Sequence, residues 1–404
     1  MSHKSSNDLQ DLQYFGEYGG VNPSISDSST YTFISAKTMF DTFEGNAEGC
    51  YLYSRHSTPS NLYLGEALAA MEGTETANVA ATGMGAITPV LLQLCKQGDH
   101  VVSSRTIYGG TYAFLKNFKF GNKRVGKDSK IFFIAEIGIN HEGNLDNCKR
   151  MILEAYKSGA DAVKLQTIDP DENYAKNTKF YKIFKKAFFN EEQTIKLFKY
   201  AKNVGIEFFS TIGDINTLHW FSKLNPPGYK ISSGLFNHYP LIKNICKTRK
   251  PIFLSTGLAT IQEIDGVFKY LKLNKVKKIA LLHCCSLYPT PDSLVNLSTI
   301  KFFIDRYPSI PIGYSDHSLN DKSIIYSIVL GARIIEKHFT LDKKKLSFDH
   351  KISIEPKELR HLVAEIKNVE KMLGVYKKNL GIKEKKNRIK YFKRFRKYKK
   401  VYFN

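Results

Sequence analysis

Two histidines stand at the ends of neighbouring β-branched runs, His317 after IPIGYSD and His338 within ARIIEKHF. A pair of neutral imidazoles, with a carboxylate or water completing the shell, suits Mn²⁺, Fe²⁺, Zn²⁺ or Co²⁺. Asp316, Asp349 and Glu136 are the carboxylates expected to complete that shell or orient it. A second constellation is cationic. Lys164 and Gln166 lie two apart in DAVKLQ, and Lys230 and Ser232 two apart in YKISSG, so within each pair both side chains point to the same side of a strand. Two ammonium groups aimed into one cavity lined by Ser and Thr hydroxyls make a site for an anion, with phosphate the natural candidate.

Eight runs can carry these residues: 131–138, 161–166, 206–211, 229–234, 251–257, 278–285, 310–316 and 332–339. Amphipathic stretches such as NCKRMILEAYKSG, EEQTIKLFKYAKNVG and TIQEIDGVFKYLK lie between them, a βα alternation that argues for a parallel sheet. Eight such units are the number a closed (β/α)₈ barrel requires. Nearly every run starts apolar and ends polar: Glu136, Lys164 and Gln166, Ser210 and Thr211, Lys230 and Ser233, Ser255 and Thr256, His283 and Ser286, Asp316 and His317, Lys337 and His338. In a barrel these ends converge on the face that carries active sites. The connection from Ile168 to Asn190 shows little clear helix and reads as a substrate lid.

The 404 residues divide by composition into segments 1–117, 118–375 and 376–404. The first carries 6 Lys/Arg against 11 Asp/Glu, the second 41 against 26, and the last 13 against 1. The net charge of +22 is thus concentrated away from the start, which argues against nucleic acid as the main partner. The basic tail reads as a solvated, flexible linker, with nucleic acid or acidic lipid as its other possible partners. Six cysteines without metal-ligand or disulfide spacing, no run of eighteen apolar residues, and no leader-like start place the chain in the cytoplasm, away from membranes.

In the first segment the helix NLYLGEALAAMEG leads to a Gly-rich turn, ATGMGAI, that opens a second helix, followed by a short strand DHVVSS. Together with YLYSRHSTPS and YGGTY, these resemble the opening third of the cystathionine synthase and methionine lyase family of pyridoxal phosphate enzymes, which have an α/β fold. The resemblance implies phosphate contacts from Tyr53 and Arg55 to a neighbouring subunit, from Gly83 and Met84 within the chain, and ring stacking by Tyr108. None of Lys4, Lys37, Lys96 and Lys116 stands in the family's Schiff-base motif, so this incomplete fragment reads as catalytically silent, with pyridoxal phosphate not used.

From Phe118 onward, IAEIGINHEG, AVKLQ, YKISSG, PIFLSTGLATIQEI, LLHCCSLYPTP, GYSDHS, IIEKHFTLD and FDHKISIEP resemble, in order and spacing, the N-acetylneuraminate synthases and their legionaminate and pseudaminate relatives. The resemblance implies a homodimer that condenses phosphoenolpyruvate with an N-acetylated sugar on a divalent metal, Mn²⁺ first, with Mg²⁺ or Co²⁺ as alternatives. By it His317 and His338 hold the metal. Lys164, Gln166, Thr211, Lys230, Ser233, Ser255, Ser286, Tyr288 and Ser315 surround phosphoenolpyruvate, and Glu136 and Asp349 face the sugar and the reacting centre. Glu136 is the residue expected to handle the proton of the water or the new hydroxyl. The sequence departs from the pattern at Leu235, where relatives carry an acid, at Ile212 and at Cys285. Relatives also continue into an antifreeze-like domain, which has no counterpart before Asn404. Two readings follow: a working or weakened synthase, or a pseudoenzyme or fusion product that binds metal and phosphoenolpyruvate without turnover.

Overall fold

The computed structural model describes residues 33, 35–44, 58–95, 101, 103, 107, 111, 118–127, 129–374 and 380–393. The chain separates into two compact units, Met1–Phe114 and Leu115–Asn404.

The second unit begins with an antiparallel hairpin of β1 (Phe118–Phe120) and β2 (Lys123–Val125). Eight parallel strands follow: β3 (Phe132–Gly138), β4 (Ala162–Thr167), β5 (Glu207–Ile212), β6 (Tyr229–Ile231), β7 (Ile252–Ser255), β8 (Ile279–Cys284), β9 (Ile312–Asp316) and β10 (Ile334–His338). They close in sequence order, with β10 pairing back onto β3, as a (β/α)₈ barrel. Each lies inside or within a residue of the run read from sequence. The largest difference is in YKISSG, where β6 stops at Ile231 and Ser233–Leu235 turn as a 3₁₀ helix.

Side chains alternate between bore and helical layer along every strand. Outward residues such as Val163, Leu165, Phe208, Leu254, Leu281 and Ile335 form one core with the surrounding helices. Inward residues Phe132, Ile134, Ala162, Phe209, Phe253, Ala280, Leu282 and Ile334 form a separate core, joined by Phe118, Phe120 and Val125 of the hairpin. Phe120 plugs the lower bore: its ring stacks on Phe253 at 4.8 Å and meets Phe209 edge-on at 4.9 Å. Gly228 makes room for it, since a Cβ there would lie 2.4 Å from the Phe120 ring. Burying such a ring contributes roughly 1.5–3 kcal/mol.

The connection 168–190 is not the weakly helical stretch expected from sequence. It contains helices Pro170–Asn173 and Lys179–Ala187. Thr178 caps the second by accepting the N–H of Tyr181, and Phe184 and Ala187 bury one face against Ile139 and Ile168. Interspersed lysines hid this periodicity. The tail differs likewise, because Ile382–Lys393 are helical, with Gly381 N–H donating to Glu384 at the start of the helix.

In the first unit, helices span Ala36–Phe43, Pro59–Glu72 and Gly83–Leu94, capped by Ser35, Thr58 and Thr82. Both helices expected from sequence are present. Of the expected strand DHVVSS only Val101 and Ser103 are described, both irregular, and the rest lies outside the described residues. A strand requires a partner edge, and no strand occurs among the described residues of this unit. Its helices expose Leu62, Leu64, Val90, Leu92 and Leu94, in contrast to the filled barrel. No described helix is long and apolar enough to cross a membrane.

Candidate active site

Because each strand advances about 3.3 Å per residue, inward side chains two positions apart stack in layers about 7 Å apart. On β10 the inward series is Ile334, Glu336, His338; on β4 it is Ala162, Lys164, Gln166. The apolar floor is therefore followed by a charged layer and then by a layer that holds the histidines.

The charged layer is buried: Glu136, Lys164, Lys230 and Glu336 are each 5% exposed or less. Lys164 Nζ lies 2.8 Å from Glu136 Oε2 and donates to Thr211 Oγ1 at 3.1 Å. Lys230 donates to both carboxylate oxygens of Glu336, at 2.6 and 2.7 Å, and Ser315 donates to Glu336 at 2.9 Å. Glu336 also reaches Lys164 at 3.8 Å, and Gln166 donates to Glu136 at 3.1 Å. Burial by itself would raise Glu336, but Lys164 and Lys230 more than reverse this and hold it below the usual carboxylate range. Burial pushes Glu136 up despite Lys164, which makes it the carboxyl of the pair that more readily carries a proton. Burial also lowers Lys230.

Beside this layer, Ser233 Oγ lies 3.2 Å from Cys284 Sγ and accepts the N–H of Gly257 at 3.1 Å. Gly257 is needed for space: a Cβ would sit 2.3 Å from Ser286 Oγ and 2.8 Å from Cys284 Sγ. The Ser255 and Ser286 hydroxyls are buried without a hydrogen-bond partner, the condition of donors awaiting an acceptor.

Nearer the mouth, the rings of His317 and His338 lie 5.5 Å apart, and Tyr288 packs against His317 at 4.2 Å. His317 Nδ1 bonds the Cys285 carbonyl at 2.7 Å, which leaves the lone pair on Nε2. His338 Nδ1 has no hydrogen-bond partner and faces Asp349 Oδ2 at 3.7 Å. Burial holds both imidazoles below their usual pKa, so they are neutral, as ligation requires. Burial raises Asp349 to about 6. Two neutral nitrogens, one of them orphaned, fit a divalent ion. No group of three His, Cys, Asp or Glu is set as ligands among the described residues.

The barrel thus gathers Glu136, Lys164, Gln166, Thr211, Lys230 and Ser315 into one network, Ser233 and Ser286 around Gly257, and Tyr288, His317, His338 and Asp349 at the mouth. Two shell candidates stand elsewhere. Asp316 faces the helical layer and pairs with Lys337, and Glu136 is engaged by Lys164 and Gln166. Ser210, His283 and Lys337 also point outward, because alternation along a strand places every second polar residue behind the wall. Of the residues implied by the first segment's resemblance, Tyr53, Arg55 and Tyr108 lie outside the described residues. Gly83 and Met84 open the helix Gly83–Leu94, and Met84 Sδ accepts from Thr111 at 3.4 Å.

Sequence reasoning missed Glu336, although it stands two residues before His338 and so shares its side of the strand. It also missed Asn140, which is 1% exposed. Asn140 donates to the Phe339 carbonyl and Ser353 Oγ and accepts the N–H of Asp349, holding the Asp349 turn against the end of β10.

Residues 151–378 match the model of the NeuB family, and residues 9–131 match that of the Cys/Met metabolism PLP-dependent enzymes. An uncharacterized protein of Methanocaldococcus jannaschii is 43% identical over 260 residues, 64% of this chain and 77% of that protein. The N,N'-diacetyllegionaminic acid synthase of Campylobacter jejuni is 35% identical over 274 residues, 64% of this chain and 82% of the relative. Among solved structures, the N-acetylneuraminic acid synthetase of Leptospira borgpetersenii, in complex with citrate, superposes with a TM-score of 0.66 at 33% identity. The match covers 70% of this chain and 98% of that one.

Proposed function

The chain belongs to the NeuB family, and from that membership we propose that its barrel condenses phosphoenolpyruvate with an N-acetylated hexosamine, N-acetylmannosamine or a diacetamido analogue, to give a nonulosonic acid and phosphate. Relatives named as N-acetylneuraminate-9-phosphate, diacetyllegionaminic acid and pseudaminic acid synthases make it an enzyme of the sugar-acid synthase kind. The observation that carries the proposal is the stacking of two buried lysines beneath two neutral imidazoles in one bore.

Lys164 and Lys230, with the unpartnered hydroxyls of Ser255 and Ser286, hold the phosphate and carboxylate of phosphoenolpyruvate in a water-poor layer where charge is felt strongly. C3 of phosphoenolpyruvate attacks the aldehyde carbon of the open-chain sugar. Water adds at C2, and the tetrahedral adduct expels inorganic phosphate by breaking the C2–O bond, so the water oxygen becomes the new ketone oxygen. His317 and His338 would hold a divalent ion, Mn²⁺ in this reading, whose Lewis acidity would polarise the aldehyde. Glu136, raised by burial and hydrogen-bonded to Gln166, takes or returns the proton of the water or of the new hydroxyl. Asp349, beside His338 and partly exposed, faces the sugar.

Incubation with Mn²⁺, phosphoenolpyruvate and either N-acetylmannosamine or a 2,4-diacetamido sugar should release phosphate only when both substrates are present. Folded protein that stays silent across this panel overturns the synthase reading. Calorimetric binding of Mn²⁺ and phosphoenolpyruvate without release identifies a binding barrel instead.

A further inference from the structure

The ladder between β9 and β10 ends at the pair Asp316↔Lys337, one residue short of His317 and His338. Both residues of this last rung point away from the bore and are buried, at 0% and 2% exposure, and Lys337 Nζ meets Asp316 Oδ2 at 2.5 Å. The pair also grips the backbone just after His317. Asp316 Oδ1 accepts the N–H of Ser318 at 3.0 Å, and Lys337 Nζ donates to the Ser318 carbonyl at 2.7 Å. Two hydroxyls orient the carboxylate further, Tyr314 at 2.7 Å and Ser323, from helix Lys322–Val329, at 3.2 Å. His317 is therefore fixed on both flanks, by the rung before it and the clamped residue after it. His338, in turn, is carried directly by Lys337.

We infer that the buried Asp316–Lys337 pair is a positioning device that sets the imidazole of His317 at ion-sharing distance from that of His338. The inference rests on the proposed reading that these histidines hold a divalent ion. Nothing in β-sheet pairing alone demands charge at this rung, since apolar residues fill the outward positions below it, Ile312 and Ile335 among them. The pair is placed where backbone pairing runs out and two ligands still need a defined separation. Outer groups that orient ligands typically change metal affinity 10–100-fold when removed.

The test uses the full chain with Asp316→Asn and Lys337→Met combined. The variant leaves no unpaired buried charge, and an Asn at 316 can still accept from Ser318 and Tyr314, but the grip on the Ser318 carbonyl is lost. Mn²⁺ affinity by calorimetry, the Mn²⁺ electron paramagnetic resonance line shape and thermal unfolding are measured on parent, double variant and His317→Ala. The inference expects a folded double variant that binds Mn²⁺ at least about tenfold more weakly than the parent, with an altered line shape. A folded double variant with parental affinity overturns it. Should the double variant not fold, Tyr314→Phe removes one orienting hydroxyl with all charges retained. A weakening of about twofold or more then supports the inference, and parity overturns it. If parent and His317→Ala bind Mn²⁺ equally, the reading of the histidines falls, and the positioning role falls with it for that separate reason.

Discussion

Replacing Glu336 with Gln probes the charge balance of the bore most directly. The carboxylate meets Lys230 at 2.6 Å and Lys164 at 3.8 Å, and Glu136 supplies the second negative charge of the layer. Two ammonium groups are therefore offset by two carboxylates where all four side chains are 5% exposed or less. Glutamine keeps the shape and one acceptor but leaves a buried positive charge without its counter-charge, a change that typically destabilises by about 3–5 kcal/mol. At roughly 2–4 °C per kcal/mol for a unit of this size, the unfolding midpoint should fall by about 10 °C at pH 7. Glu336 has its folded-state pKa depressed by the lysines against the effect of burial, so its contribution is present above the unfolded carboxylate pKa and is lost as pH falls through the folded value. The deficit should accordingly be the same at pH 7 and pH 5.5. In the proposed function phosphoenolpyruvate brings negative charge to the same layer, so saturating ligand should narrow the gap between variant and parent. Thermal unfolding with and without phosphoenolpyruvate measures both effects. A loss below about 1 kcal/mol, or a gap that ligand leaves unchanged, would refute the assignment of Glu336 as the counter-charge.

Truncating either His317 or His338 to Ala should weaken Mn²⁺ binding at least about tenfold by calorimetry while leaving phosphoenolpyruvate binding measurable, because the lysine layer lies below them. His141, His283, His317, His338 and His350 all have folded-state pKa values lowered chiefly by burial. The unfolded chain therefore binds more protons below about pH 6.5, and each such histidine removes up to ~1.4 kcal/mol per pH unit there. Asp349, raised to about 6, acts in the opposite direction from about pH 6 downward but offsets only one of these five groups, so denaturant midpoints should go on falling as pH drops below 6.5. Phe120→Ala should destabilise by about 3–5 kcal/mol in denaturant unfolding, since it empties the stacked floor beneath the charged layer. Adding pyridoxal phosphate to the full chain should give no imine absorbance that survives dialysis, as no lysine of the first segment stands in a Schiff-base motif.

The barrel was readable because its parallel strands are buried on both sides, so they stand out as short apolar runs between amphipathic helices. The shared side of Lys164 and Gln166 was likewise legible, since strand alternation is local. The same rule, carried along every run, separates Ser315 and His317 from Asp316, and Glu336 and His338 from Lys337. Pooling all strand-end polar residues as mouth residues hid that separation, and with it Glu336. Asn140 was beyond reach for another reason: its three partners are about 200 residues away in the chain, and nothing local marks it. Phe120 is similar. Nothing within FKFGNKRV marks a plug until Phe209 and Phe253 close around Phe120. The helix Lys179–Ala187 was obscured by lysines that occupy its solvated side, although Phe184 and Ala187 carry its buried face.

The aromatic plug turns the bore into a blind shaft with its entrance at the histidine end. A blind shaft imposes a queue. If phosphoenolpyruvate occupies the lysine floor and the sugar waits above it at the imidazoles, a sugar that arrives first stands in the doorway of the partner it needs. Loading then has to proceed from the bottom upward, and the liberated phosphate can leave only after the nine-carbon product has vacated the passage.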